Sequence, residues 1–262
     1  MSRAVVALFV LYVIAAKAGL SLAAVNPSAT AVWPPTGIAI AACLLMGRPA
    51  WPAIFAGALV ANLTNAGSVA TSLGIAVGNT LEGVLGAYFT ARFVSRGSDA
   101  AESHLFDRAP DVFRFAALAG CVATCVSATL GVTSLALGGY AQWSTYWAVW
   151  LTWWLGDASG ALIFAPFIII LTQNREPLPR EQWLELGAFT LVLVADTLFV
   201  FGGLYEPTRH YPLAFLSIPP ILWAAFRFGP RETSAGVAVL SLIAQTALFH
   251  GLIRVRNTWR KS

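Results

Sequence analysis

Residues Ala31 to Leu63 read AVWPPTGIAIAACLLMGRPAWPAIFAGALVANL. The stretch is apolar enough for lipid, yet Pro34 and Pro35 stand side by side near its start. Proline removes a backbone donor and clashes with the preceding turn. A bilayer tolerates freed backbone groups only where protein or a water-lined cavity satisfies them. The stretch therefore demands a membrane protein with irregular backbone inside it, and other helices packed around that irregularity. We expect the regular helix to begin at Pro35 or Thr36, because proline suits a first helical position. Its free N–H groups, from Thr36 and Gly37 onward, would favour an anion or a carboxylate from the bundle.

The rest of the chain agrees with a membrane setting. Of its 262 residues, 58% are hydrophobic and 11% charged, against about 25% charged in an ordinary soluble domain. No polar stretch is long enough to fold separately, so residues 1–252 read as one integral membrane domain and 253–262 as a short basic tail. The net charge of +4 resides in short loops, where Lys and Arg set orientation. No basic surface interleaved with aromatics exists for nucleic acid. Arg3 before an apolar run resembles a signal peptide, but Lys17 interrupts the run and further spans follow, so it reads as an uncleaved first helix. The three cysteines, Cys43, Cys121 and Cys125, form no CxxC pair and lack a nearby histidine. They read as small buried hydrophobes, and no metal or cofactor is expected.

A spanning helix takes about 20 apolar residues. Nine candidate spans follow, at about 4–24, 29–46, 51–66, 69–94, 112–137, 143–171, 183–204, 212–228 and 233–252. The fold class is thus an all-α, polytopic helix bundle with a second helix broken by Pro34-Pro35. A cytoplasmic N-terminus puts Arg48, Arg92, Arg96, Arg108, Arg114, Arg175, Arg180, Arg227 and Arg231 on the inner side and Arg209 alone outside. That distribution satisfies the positive-inside rule until the tail RVRNTWRKS, which nine crossings leave outside. A second pair, Pro219-Pro220, precedes Arg227-Phe228-Gly229-Pro230, much as Pro34-Pro35 precedes Gly47-Arg48-Pro49. The parallel is either a weak internal repeat or simply the form of short helical hairpins.

Four ionisable residues fall mid-span: Lys17, Glu82, Asp157 and Asp196. At a helix centre each costs about 2.5–3.5 kcal/mol or more, which makes them functional candidates. One cation cannot neutralise three carboxylates. Lys17 is expected to pair with one acid, leaving the others protonated, hydrogen-bonded or facing a wet cavity; a purely structural ion-pair cluster is the alternative. Asn79, Glu82, Gly83 and Gly86 share one helix face, where glycines admit a neighbouring backbone, so Glu82 should point into the bundle. Trp143, Trp147, Trp150 and Trp154 form a stripe leading to Asp157. Such a stripe could line a path for a ring or a cation, or serve as an interfacial belt plus core packing.

Enzymatic signatures are absent: there is no GxGxxG, P-loop, HExxH or GxSxG. His104 and His210 fall in loops and His250 at a span end, which gives no ligand set. Trp154-Leu155-Gly156-Asp157 with Ala195-Asp196 only partly resembles intramembrane aspartyl proteases, since Trp154 replaces the first glycine of GxGD. Ser159-Gly160 lacks the GxSG of the serine type.

The motifs AVWPPTGIAIAACLLMG, WPAIFAGALVAN, GNTLEGVLGAY, WWLGDASGALIFAPF and PLAFLSIPPILWAAFRFGPRETSAGVAV resemble, in order, the MASE domain of the first type, a bacterial membrane-associated sensor. The resemblance spans Ala31 to about Val239. It implies an inner-membrane, multi-helix input module of the kind that precedes histidine kinases, diguanylate cyclases and cyclic-di-GMP phosphodiesterases. It places Trp33, Pro34, Pro35, Gly37, Asn79, Glu82, Trp154, Gly156, Asp157, Gly160, Pro166, Arg227, Gly229 and Pro230 at family motif positions. Members usually carry one more helix and then an output domain, where this sequence has only its tail. The expectation is a non-enzymatic sensor of an unknown small ligand, acting through a separate kinase, cyclase or membrane partner. The ligand-binding or buried polar candidates are Trp33, Thr36, Asn79, Glu82, Trp150, Trp154, Asp157, Lys17 and Asp196; Pro34, Pro35, Gly37, Gly156, Pro166, Pro219, Pro220 and Arg227 are structural. A small transporter or channel, with broken helices beside buried acids, is the competing class. A degenerate remnant of a longer sensor is the third.

Overall fold

The computed structural model describes residues 2–23, 28, 30–65, 68–94, 105–173, 178–201 and 213–259, with side chains to 247. The acidic and basic loop residues Arg96, Asp99 and Glu102, together with His104, Arg175, Arg209, His210 and the side chains of His250 and the tail, lie outside the described residues. Every long element among the described residues is a helix, and there are nine. They are α1 (Arg3–Ser21), α2 (Pro34–Met46), α3 (Ala50–Leu63), α4 (Val69–Phe89), α5 (Ala109–Leu137), α6 (Trp143–Gln173), α7 (Arg180–Phe201), α8 (Leu213–Arg227) and α9 (Pro230–Trp259).

Four of these, α1, α5, α6 and α7, are long and apolar enough to cross a membrane by themselves, while α2, α3 and α8 are apolar but shorter. The lipid-compatible surface is explicit in α1, where Val6, Val10, Leu11 and Ile14 are exposed, and in α7, where Leu184 and Leu191 are. Among the described residues two π-helical segments occur: Thr90–Val94 continues α4, and Ala116–Val122 lies inside α5. Such segments leave the regular hydrogen-bond ladder and favour functional sites.

The chain divides into two compact units, Met1–Ile169 and Ile170–Ser262. The first has α4 at its centre, packed by α2, α3 and α5. Glycines make these approaches close. A Cβ at Gly83 or Gly86 would press on Ala39 or Ile40 of α2, and one at Gly78 on Leu130 of α5. Alanine dominates the buried faces: Ala16, Ala39, Ala41, Ala58, Ala61, Ala76, Ala119, Ala128, Ala161 and Ala165 are all fully or almost fully enclosed. Without a water-driven hydrophobic effect between helices in lipid, such small residues let backbones meet and dispersion act.

Pro34 and Pro35 open α2 rather than interrupt it. Regular helix begins at Pro34, and residues 30–33 before it are not helical. Trp33 precedes it with φ −120° and ψ 85°, in keeping with the bias against α conformation before proline. Gly47, at φ 70°, ends α2 and turns the chain into α3.

In the second unit α7 packs against α8 and α9, around Phe189, Leu193 and Ala224. Pro219 and Pro220 again sit at the start of a helical stretch, Ile218–Arg227. Gly229, at φ 121°, again makes the corner, before Pro230 opens α9. Both corners need a residue tolerant of positive φ.

Candidate functional site: a buried acid pair

The site lies in the first unit and is organised by the entry into α2. Trp33 N–H donates to the Gly156 carbonyl of α6 at 2.9 Å. Gly156 and Gly160, one turn apart on α6, face this extended strand of chain. A Cβ at Gly156 would overlap the Thr30 carbonyl, and one at Gly160 the Trp33 carbonyl. A Cβ at Gly37 would in turn overlap the Gly160 carbonyl. Three glycines therefore bring irregular backbone against helix backbone. The Trp33 ring packs across Gly19 of α1.

Between the two α6 glycines stands Asp157, 1% exposed. Thr36, in the first turn of α2, donates its hydroxyl to Asp157 Oδ1 at 3.2 Å. The positive end of the α2 dipole favours negative charge there. The prolines contribute no N–H, and Thr36 N–H goes to the Trp33 carbonyl at 3.2 Å. The expected row of free donors from Thr36 onward is not there: of the first-turn positions, Trp33 and Thr36 have their N–H groups bonded and the other two are prolines. The bundle's own carboxylate meets this helix end through a side-chain hydroxyl.

Glu82, on α4 and also 1% exposed, comes within hydrogen-bonding reach of Asp157, Thr36 and Ser127. None of these has a hydrogen for it. Thr36 gives its own to Asp157, and Ser127 gives its own to Asn79 Oδ1 at 2.9 Å. Both Glu82 oxygens and Asp157 Oδ2 consequently have no hydrogen-bond partner. Around them runs a chain of satisfied groups. Asn79 Nδ2 donates to the Tyr12 hydroxyl oxygen of α1 at 3.4 Å, and Trp153 Nε1 donates to Ser127 Oγ at 3.2 Å. Helices α1, α2, α4, α5 and α6 all send polar side chains here.

Thr36, Asn79, Glu82 and Asp157 are thus brought together, with the Trp33 backbone beside them. Lys17 is not. Its Nζ donates to the Thr64 carbonyl at the C-terminal end of α3, at 3.0 Å. The expected Lys17–carboxylate pair is replaced by a cation capping a helix C-terminus, a favourable dipole contact. Asp196 belongs to the second unit, where Ser217 Oγ donates to its Oδ2 at 2.6 Å. Arg227 pairs there with Glu185 Oε2 at 2.7 Å. Pro166 lies inside α6.

The tryptophan stripe takes another course. Trp143 and Trp147 are exposed. Trp150 and Trp154 stack at 6.0 Å between centroids and spend their N–H groups on α5. Trp150 donates to Thr129 Oγ1 at 3.1 Å and Trp154 to the Cys121 carbonyl at 3.0 Å. Cys121 lies in the π-helical segment of α5. The indole that reaches the acid pair is Trp153, one residue off the stripe and one turn before Asp157. Tyr12, Ser127 and Trp153 are the members that sequence reasoning missed. Tyr12 and Ser127 carry no charge to advertise them, and the regular spacing of the neighbouring stripe hid Trp153.

A model of the family MASE1 matches residues 4–252. The chain belongs to the MASE1 family. It is a membrane-associated sensor domain by that membership, and the match covers all the helices that build the acid pair. No curated protein and no solved structure matches the chain.

Proposed function

We propose that this MASE1 chain is the sensory input module of a bacterial signalling system in the inner membrane, with a cytoplasmic N-terminus and nine crossings. The observation that carries the reading is the acid pair. Two carboxylates lie buried and incompletely hydrogen-bonded where five helices meet. Buried polar networks left partly unsatisfied are costly, so a small change in charge or occupancy there alters how α2, α4 and α6 pack. A ligand or chemical signal that favours one packing over another shifts the population accordingly. The shift passes to a signalling output, whether kinase, cyclase or membrane partner. Catalysis is assigned to that output rather than to the acid pair.

Chromosomal Glu82→Gln and Asp157→Asn alleles, with protein levels checked in isolated membranes, test this reading. Both alleles should change the transcriptional profile of the host while the protein stays at wild-type abundance. Proteoliposomes of the purified chain should show no coupled uptake. Solute flux abolished by Asp157→Asn would instead make the chain a transporter, the reading that buried acids beside an irregular helix entry also support.

A further inference from the structure

We propose that Glu82 and Asp157 form a proton-binding site in which one proton, carried by the Glu82 carboxyl, bridges α4 to α6 through Asp157 Oδ2. With both acids ionised, three buried oxygens have no partner. The neighbouring hydroxyls are committed, Thr36 to Asp157 Oδ1 and Ser127 to Asn79. An ionised carboxylate is acceptor-only, whereas a protonated one gains an O–H donor. A single proton between the two acids therefore satisfies Asp157 Oδ2 and one Glu82 oxygen together.

The surroundings assign the proton to Glu82. Asp157 sits at the positive end of α2 and accepts from Thr36, both of which favour its ionised form. Glu82 lies within reach of the same Thr36 hydroxyl and of Ser127, but both hydrogens go to other acceptors. Tyr12 of α1 is the other titratable group facing the pair. From α2 and α5 the facing groups are the hydroxyls of Thr36 and Ser127, and from α6 the indole of Trp153. Lys17 is engaged at Thr64, so no lysine or arginine among the described residues neutralises the pair. Loss of the proton to bulk water sets two carboxylates against each other in apolar surroundings and drives α4 and α6 apart. The inference rests on the sensory reading only for its biological use, since the site itself is a matter of structure.

Infrared spectroscopy of the full chain in lipid nanodiscs tests it. At neutral pH the wild type should show the C=O stretch of a protonated carboxyl group. Raising the pH should remove that band, and Glu82→Gln should lack it while remaining folded. The glutamine amide can itself donate to Asp157 Oδ2, so the variant keeps the bridge. Absence of the band from the wild type overturns the proposal without need of any variant. So does its persistence in Glu82→Gln, or its removal by sodium ions at constant pH, which would make the site a cation site. A normal band together with unaltered signalling in both alleles would leave the proton site standing and sink the sensory reading.

Discussion

At the scale of single residues, the glycines of α6 carry the sharpest prediction. Replacing glycine by alanine inside a helix normally stabilises it by about 1 kcal/mol. Gly160→Ala should do the reverse, because the new methyl meets the Trp33 carbonyl oxygen rather than a flexible side chain. A lower thermal midpoint than wild type in nanodiscs, or loss of folded protein, is the expected outcome. Gly187, on α7 with nothing within 4 Å of a built Cβ, is the control, and Gly187→Ala should be neutral or stabilising. Thr36→Val removes the one hydroxyl that Asp157 Oδ1 accepts. Stripping one partner from a buried carboxylate costs about 1–3 kcal/mol or more, so this isosteric change should lower the midpoint too, while Thr36→Ser should largely retain it.

At the scale of elements, the start of α4 and the crossing of α5 with α6 make separate predictions. Ser68 caps α4 by accepting from Thr71 N–H at 3.2 Å. Ser68→Ala should cost about 1 kcal/mol, measurable as a midpoint shift with the infrared carboxyl band unchanged. Trp154→Phe keeps the ring stack with Trp150 and removes only the N–H bond to Cys121. Near-ultraviolet circular dichroism should alter while the acid pair stays intact. Much at this scale was legible in the sequence. Apolar runs gave the order and approximate extents of the helices, and the glycine face of α4 correctly pointed Glu82 inward. The proline pair reads as opening the regular helix at Pro35 or Thr36, because proline suits a first helical position, and α2 begins at Pro34. Lys17 misled: a mid-helix cation suggests a carboxylate, and a backbone carbonyl at another helix's end leaves no sequence mark.

At the scale of the whole molecule, both units use one device, a Pro-Pro helix start followed by a positive-φ glycine corner, at Gly47 and at Gly229. In each, a hydroxyl near the Pro-Pro pair donates to an acid on a longer helix, Thr36 to Asp157 and Ser217 to Asp196. Among the described residues, only the first acid has a second, unpartnered carboxylate beside it. That difference separates a structural contact from a candidate site. It also gives a pH prediction of definite sign. If the native chain holds a proton that the unfolded chain has released at neutral pH, stability falls as the pH is raised. The wild-type midpoint should decline with pH, and the Glu82→Gln midpoint should be flat over the same range. The central claim is that Glu82 and Asp157 act as one unit, and a double-mutant cycle on thermal unfolding in nanodiscs addresses it most directly. Each single alanine variant leaves the other acid buried alone, whereas Glu82→Ala with Asp157→Ala removes both. The double variant should be no less stable than the worse single variant, a coupling well above the ~0.5 kcal/mol within which independent sites add. Simple additivity of the two losses would contradict it.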